Sequence, residues 1–430
     1  MTEQDYQDNL DYLYGLKGIK LGLENTQLLL NHFDNPQLKT RTIHIAGTNG
    51  KGSTSAFIES ILRASGYKVG LYTSPHLQDF CERIQINRSP IEQKTLCELI
   101  ARVKKACEML HLSVTFFEFS TVLAFLYFFE NNTDWNVVEV GLGGRLDATN
   151  LCKAEVVIIT SISRDHTEYL GESLQQIASE KAAIIKDPGT VIANIDEDQV
   201  FEVINRQSQL YKASIRRLGF DFKTELLSHT PRGQKINFSS GQIQLDGLEL
   251  PLIGRHQAAN AALAIACSLE LKTKNDQITE QAIRKGLKST CWEGRLEVIS
   301  ADPTILLDCA HNPEGVRILT IAIREYFVFK RCHVILGIMK DKPFEEMVEI
   351  IAPLADRIIL VKPQQERSWE PKQLKAKLSK HHKVIEIIEE IDYAVEITKQ
   401  NSAPDDLICI TGSIFTVAEA RQHIKNKGVV

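Results

Sequence analysis

Thr42-Ile43-His44-Ile45-Ala46-Gly47-Thr48-Asn49-Gly50-Lys51-Gly52-Ser53-Thr54 is the stretch on which the fold turns. Its first part, TIHIA (42–46), is β-branched and apolar and predicts a strand. STSAFIESILRAS (53–65) places apolar residues at helical spacing and predicts an amphipathic helix. Between them lie closely spaced glycines and one lysine. Glycines let backbone N–H groups converge on phosphate oxygens, and a helix N-terminus adds partial positive charge. Lys51 has the reach for β- and γ-phosphates, and Ser53 or Thr54 for a magnesium ion. The loop departs from the usual P-loop twice: Ile45 stands where the first glycine is expected, and Gly52 separates Lys51 from Ser53. A glycine-rich subclass of nucleotide loop fits better than a general NTPase. The plainer alternative is a strand-turn-helix corner that needs glycine only for packing.

Outward from this loop the pattern repeats. KVGLYT (68–73), WNVVEV (135–140), AEVVIIT (154–160) and TVIANI (190–195) read as strands. Helical patterns at about 92–111, 119–130 and 173–185 separate them. Strands alternating with helices imply right-handed crossovers and a parallel sheet. Short alternating pieces such as INFSSGQIQLDG suggest a small antiparallel patch near 213–251, after which NAALAIACSLEL (260–271) resumes as helix. A second series follows Arg295, with strands TILLDCA (304–310), RCHVILGI (331–338), RIILVK (357–362), KVIEII (383–388) and LICITGS (407–413). The expected division is 1–296 and 297–430, a boundary near 294–302.

Composition narrows the class. The 430 residues favour more than one domain; 43% hydrophobic and 24% charged is ordinary for a globular chain. A net charge of −5 gives no expectation of nucleic acid. No apolar run approaches a membrane span, and the polar, acidic MTEQDYQDNL is unlike a signal peptide. Nine dispersed cysteines without a C-x-x-C read as reduced thiols, so a cytoplasmic protein is expected.

Three groups lie near strand ends, where ligands of open α/β sheets collect: Ser74 in Thr73-Ser74-Pro75-His76, Glu139 before Gly141-Leu142-Gly143-Gly144, and His166 in Arg164-Asp165-His166-Thr167. Magnesium takes hard oxygen ligands, as Ser74 and Glu139 could supply. Ser74 could equally be turn chemistry, and His166 a surface histidine. Glu139 in an apolar strand needs a partner or a metal. Lys181 lies among alanines and isoleucines, either snorkelling or with a depressed pKa that allows reaction with CO2. Downstream, Asn260 at the start of its helix is a cap or an amide donor to a nucleotide. Arg295 could stabilise a transferring phosphoryl group, or lie in an exposed linker. Asp308 in Asp308-Cys309-Ala310-His311-Asn312-Pro313 suits ribose hydroxyls, and His311 a carboxylate or phosphoryl group. The alternative there is an Asx turn with Pro313 opening a helix.

Together GTNGKGST (47–54), YTSPHL (72–77), ERIQIN (82–87), EVGLGGRLDATN (139–150), DHTEYLG (165–171), EKAAIIK (180–186), GRHQAANA (254–261), GRLEV (294–298) and LDCAHNPEG (307–315) resemble the dihydrofolate synthase/folylpolyglutamate synthase family of Mur-like ligases. ICITGSIFTVAE (408–419) matches as well. The resemblance spans most of the chain. It implies an N-terminal P-loop ATPase domain with a parallel sheet and a smaller, Rossmann-like α/β domain behind it. It also implies an ATP site of Thr48, Asn49, Gly50, Lys51, Gly52 and Ser53 with Asn260, Arg295 and Asp308. It implies one or two magnesium ions on Ser74, Glu139, His166 and a carbamate on Lys181, with Lys51, Lys181 and His311 acting in catalysis. The implied pterin pocket is Thr115 and Leu146-Asp147-Ala148, with Gly22-Leu23-Glu24 at its entrance. Arg145 to Asn150 resembles the form in enzymes that also accept dihydropteroate.

The implied enzyme is a monomeric, ATP-dependent ligase. It would join L-glutamate to dihydropteroate and to tetrahydrofolate through an acyl phosphate. Competing readings are a polyglutamate synthase alone, a UDP-muramoyl-type ligase, or a nucleotide-dependent switch or binding module. The muramoyl ligase should carry a uridine-binding domain first, and only about 40 residues precede the loop.

Overall fold

A computed structural model describes residues 2–16, 18, 22–273, 277–378 and 384–428. The chain divides into two compact units. One holds the chain up to Glu225 with Ile236–Glu249 and Ala258–Thr290. The other holds Leu226–Lys235, Leu250–Gln257 and everything from Cys291 on.

The first unit is built on a sheet of eight strands: β1 (Arg41–Ala46), β2 (Val69–Tyr72), β3 (Ile84–Ile86), β4 (Ser89–Pro90), β5 (Trp135–Glu139), β6 (Ala154–Ile159), β7 (Thr190–Ala193) and β8 (Ser214–Arg217). Their order is β4-β3-β2-β5-β1-β6-β7-β8. From β2 to β8 the neighbours run parallel, while β3 and β4 add antiparallel pairs at one edge. Strand β1 is central, with Ile45 opposite Glu139 on one side and Ile158 on the other. This register brings the ends of β1, β5 and β6 level, so the segments leaving them emerge together, as parallel sheets require of a ligand site.

Helix Phe116–Glu130 is apolar on nearly every face, so it must be covered all round. Helices Glu3–Gly15 and Glu24–His32 supply Tyr6, Leu10, Leu13, Leu29 and Leu30 to the core it shares with Phe119, Leu123 and Phe125. The antiparallel patch begins later than expected. Ser214–Arg217 belongs to the main sheet, parallel to β7. The patch is β9 (Lys223–Thr230), β10 (Gly233–Ser240) and β11 (Ile243–Leu250), order β11-β10-β9. Two-residue connections at 231–232 and 241–242 make these neighbours antiparallel hairpins.

The second unit has six strands: β12 (Glu297–Ala301), β13 (Thr304–Leu307), β14 (Cys332–Leu336), β15 (Arg357–Leu360), β16 (Val384–Ile387) and β17 (Leu407–Thr411). Their order is β12-β13-β17-β14-β15-β16, parallel except for β12 against β13. Lys383, the expected start of the strand at 383–388, lies outside the described residues. Its core joins Leu306, Val334, Leu336, Ile358 and Cys409 to Val316, Leu319 and Ile323 of helix Pro313–Tyr326. The fold is α/β in both units, the first carrying the larger and the second the smaller sheet.

Candidate active site

The loop after β1 is laced to the segment after β6. Thr48 donates its N–H to Ser161 O at 2.9 Å, and its hydroxyl exchanges bonds of 3.1 Å with Ser163 O and Ser163 N–H. Asn49 N–H donates to Ser161 Oγ at 2.9 Å, and Thr160 Oγ1 donates to Asn49 O at 2.7 Å. Gly50 then caps helix Lys51–Ala64 in the left-handed conformation, φ 87°. A Cβ there would lie 2.6 Å from Asn260 Oδ1, so the Asn260 amide rests against the bare loop backbone. The helix bearing Asn260 begins at Arg255, not at Asn260. Asn260 is therefore interior and no cap; the apolar pattern that suggested otherwise starts a turn after the backbone turns helical.

Two lysines converge on this loop. Lys51 Nζ donates to Gly47 O at 3.1 Å and to Thr48 O at 3.3 Å; Lys181 Nζ donates to Gly47 O at 2.9 Å. Lys181 does not snorkel: only 4% of it is exposed. Burial, and next the charge of Lys51, bring its pKa down to about 7. Glu139, also 4% exposed, accepts the N–H of Ser74 at 3.2 Å. That bond joins the segments after β2 and β5. His166 is exposed, left-handed at φ 51°, and first before the short helix Thr167–Leu170. Its ring stands 3.9 Å from Asp165. Among the described residues no three His, Cys, Asp or Glu side chains gather as a metal group.

The glycine turn after β5 is held from within. Asp147 accepts Leu142 N–H at 2.8 Å and Thr149 N–H at 3.0 Å, and also the Thr149 hydroxyl. The Thr149 oxygen in turn meets His44 Nε2 at 2.9 Å. With its proton on Asp147, Thr149 must accept from His44, which fixes Nε2–H on a ring whose pKa burial brings down to about 3. Ala148 is buried beside Asp147 and Leu146 half-buried. Gly144 lets the turn approach the lysine-bearing helix: a Cβ would sit 2.7 Å from Glu180 O and 3.1 Å from Lys181 Cα. Thr115 is spent as a helix cap, in a reciprocal pair with Glu118. Gly22, Leu23 and Glu24 open helix Glu24–His32, with Leu23 half-buried and Glu24 exposed.

In the second unit Asp308 accepts Leu296 N–H and Ala310 N–H, both at 2.9 Å. Burial pushes its carboxyl up, against the pull of Arg295 and these two amides. Arg295 is half-buried, unlike an exposed linker residue, and donates to Gly294 O at 3.2 Å. His311 Nδ1 lies 3.0 Å from Cys309 O, and Asn312 caps helix Pro313–Tyr326 by accepting Gly315 N–H at 2.8 Å. The Asx-type turn with Pro313 opening the helix is thus present, and it holds His311 and Asp308 at one strand end.

Residues 45–268 match the Mur ligase middle domain, and residues 294–414 the Mur ligase glutamate ligase domain. A dihydrofolate synthase/folylpolyglutamate synthase of Bacillus subtilis is 34% identical, covering 98% of this chain and 99% of its own. The chain belongs to the dihydrofolate synthase/folylpolyglutamate synthase family. A folylpolyglutamate synthase of Lacticaseibacillus casei is 33% identical over 98% of this chain and 99% of its own. The structure of Escherichia coli FolC in complex with DHPP and ADP superposes with a TM-score of 0.90 at 30% identity, covering 98% of each chain. Members of this family are ATP-dependent glutamate ligases, and the sheet arrangement of both units matches theirs.

Within this family fold, sequence reasoning passed over a group beside Ser74. Phe117 lies against the glycine turn, where a Cβ on Gly141 would be 2.3 Å from its ring. Arg83 Nε donates to His76 Nδ1 at 2.8 Å, and Phe80 and Phe116 flank the guanidinium. His76 is held neutral, its pKa brought down to about 4 by burial and then by Arg83. The signal was present in SPHL (74–77) and ERIQIN (82–87), but an isolated arginine beside polar residues reads as surface.

Proposed function

We propose that this chain joins L-glutamate to dihydropteroate, making dihydrofolate, and to tetrahydrofolate, extending a glutamate chain. The observation that carries it is the meeting of Lys51 and Lys181 on Gly47 O, beside a loop shaped for phosphates. ATP is the phosphoryl donor, with Thr48 to Ser53 cradling phosphates and Asn260 against them; Arg295 and Asp308 are further nucleotide-binding residues. The substrate carboxylate attacks the γ-phosphorus, ADP leaves, and an acyl phosphate results. The amine of glutamate then displaces phosphate, losing a proton as the amide forms. Lys51 offsets the charge that develops on the transferring oxygens, and His311 orients a carboxylate or phosphoryl group.

The residues fit a magnesium site. Glu139 is a buried carboxylate, Ser74 adjoins it, and Lys181 is already inclined to lose its proton. Ser74, Glu139, His166 and a carbamate on Lys181 would hold one or two ions, which supply charge neutralisation at the phosphates when bound. The pterin lies among Thr115, Leu146, Asp147 and Ala148, with Gly22, Leu23 and Glu24 at the entrance. Asp147 acts by holding the glycine turn, since its oxygens are taken up by Leu142 and Thr149. On this reading the ATPase domain is 1–296 and the glutamate ligase domain 297–430, a division a few residues after Cys291, where the second compact unit resumes. Nine cysteines in the thiol form support a reducing, cytoplasmic setting, and the protein acts as a monomer. No described helix is long and apolar enough to cross a membrane.

The test is phosphate release from ATP, magnesium and glutamate with each acceptor. Turnover with both supports the bifunctional enzyme. Tetrahydrofolate alone reduces it to a polyglutamate synthase, the reading favoured by the Lacticaseibacillus relative's name. Absence of amide with either defeats the proposal.

A further inference from the structure

Three arginines among the described residues are buried: Arg83, Arg217 and Arg421. Two are paired with carboxylates. Arg217 donates to Ile195 O, Asp196 O and Asp198, and Arg421 to Glu297. Arg83, 8% exposed, is different. Its Nε donates to the His76 ring, and among the described residues neither terminal nitrogen meets an oxygen acceptor. Of the carboxylates near it, Glu82 takes the amides of Leu77, Gln78 and Asp79, Asp79 is bonded to Tyr6 and Cys81, and Glu139 accepts the Ser74 N–H while its charge favours the Arg83 cation. The faces it does meet are aromatic, Phe116 at 5.0 Å and Phe80 at 5.9 Å. Cation–π contact offsets only part of the cost of desolvating a guanidinium. A cation left this way, with its fork of donors unused, is arranged for an anion that comes and goes.

We infer that Arg83 is a binding residue for a carboxylate of the acyl substrate. A planar guanidinium held at Nε offers its remaining nitrogens as a two-toothed clamp, which matches a carboxylate. The half-buried Phe116 suits the arene of an aryl acid, and Ser74 and His76 place the clamp next to Glu139. The phosphate side of the unit already has Lys51 and Lys181. This rests on the folate-ligase reading, in which two carboxylates qualify: the reacting group of either acceptor, and the glutamyl carboxylate of tetrahydrofolate that does not react.

The experiment compares Arg83→Gln and Arg83→Lys with the unaltered protein, by calorimetric titration with pteroate and with its decarboxylated analogue. The unaltered protein should bind pteroate on the order of 10- to 100-fold more tightly than the analogue, the worth of charge-assisted bonds. Arg83→Gln should erase that ratio while leaving the analogue's affinity alone, and Arg83→Lys should restore part of it. In steady state, KM rising for both acceptors assigns the reacting carboxylate. A rise for tetrahydrofolate alone, with the pteroate ratio unchanged in Arg83→Gln, assigns the glutamyl one. Without ligand, Arg83→Met should melt at a higher temperature than the unaltered protein, because an unpaired buried charge is removed. A ratio and both KM values unchanged in the variants, or a lower melting temperature with binding intact, overturns the inference and leaves Arg83 a structural residue. If the unaltered protein forms no glutamate amide, the folate-ligase reading fails instead, and the ligand-free melting result still reports on Arg83.

Discussion

Lys51 and Lys181 donate to one acceptor, the main-chain carbonyl of Gly47, at 3.1 and 2.9 Å. Two ammonium groups sharing one carbonyl repel each other, and the buried one yields. Burial first, and the charge of Lys51 second, bring Lys181 down to about 7. A neutral amine at this point can capture CO2 and reverse its own charge from cation to anion, turning a repulsive pair into an attractive one.

The first prediction concerns that reversal. Lys181→Ala should lower kcat by at least 100-fold, with added short carboxylic acids restoring part of it. Activity of the unaltered protein should fall below pH 7 in CO2-free buffer and recover with bicarbonate, because protonated amine cannot react. The folded pKa lies below the unfolded one, so this group's stability contribution rises with pH from about 7 to its ordinary value near 10.5. Bicarbonate-independent activity between pH 6 and 8 would remove the carbamate from the mechanism.

Gly50 has two reasons to be glycine, its φ of 87° and the Asn260 oxygen 2.6 Å from where a Cβ would be. Gly50→Ala should cost about 1 kcal/mol for the left-handed backbone, plus displacement of the Asn260 amide. We expect the KM for ATP to rise about tenfold or more, with KM for glutamate unchanged, in a full kinetic matrix. Equal effects on every substrate would mean general disruption rather than damage to the phosphate loop.

Much of this site was legible in the chain. Strand TIHIA, its glycine loop and the following helix stand where the pattern put them, since local periodicity and a parallel sheet ask for the same thing. So do Glu139 in β5 and Asp308 just after β13. What escaped was decided by tertiary contact. Helices Glu3–Gly15 and Glu24–His32 are short and polar on one side, and the first is marked only by a Thr2–Asp5 capping box. Strands β3 and β4 are too short for alternation to register. The burial of Arg83 comes from helix Phe116–Glu130, more than thirty residues away in sequence. No local pattern could announce it. Thr115, in contrast, carried its structural role openly as Thr-x-x-Glu.

Asp147 is expected to act through the glycine turn. Asp147→Asn keeps the shape but loses an acceptor oxygen, leaving one of the amides or the Thr149 hydroxyl unmatched, at about 1–3 kcal/mol. The expected result is a lower melting temperature with a raised KM for both pterin substrates and little change in KM for ATP. Thr149→Ser should be mild and Thr149→Val severe, because only serine keeps the hydroxyl between His44 and Asp147. A tolerant Thr149→Val would show that the relay does no work.

His44 supplies a pH signature of that same relay. It is wholly buried and neutral, with a pKa near 3 in the folded chain against about 6.5 when exposed. Between these values the unfolded chain binds the extra proton, so stability falls as pH drops through 6.5 toward 3. The slope from this one group is at most about 1.4 kcal/mol per pH unit. His256 and His76, both down to about 4 by burial, act in the same direction over a narrower window. His44→Gln, whose amide can still donate toward Thr149, should flatten the acid limb of melting temperature against pH between 6 and 4, while losing some stability at pH 7. An unchanged slope would mean that His44 is already charged in the folded protein, and that the proton on Thr149 points away from Asp147.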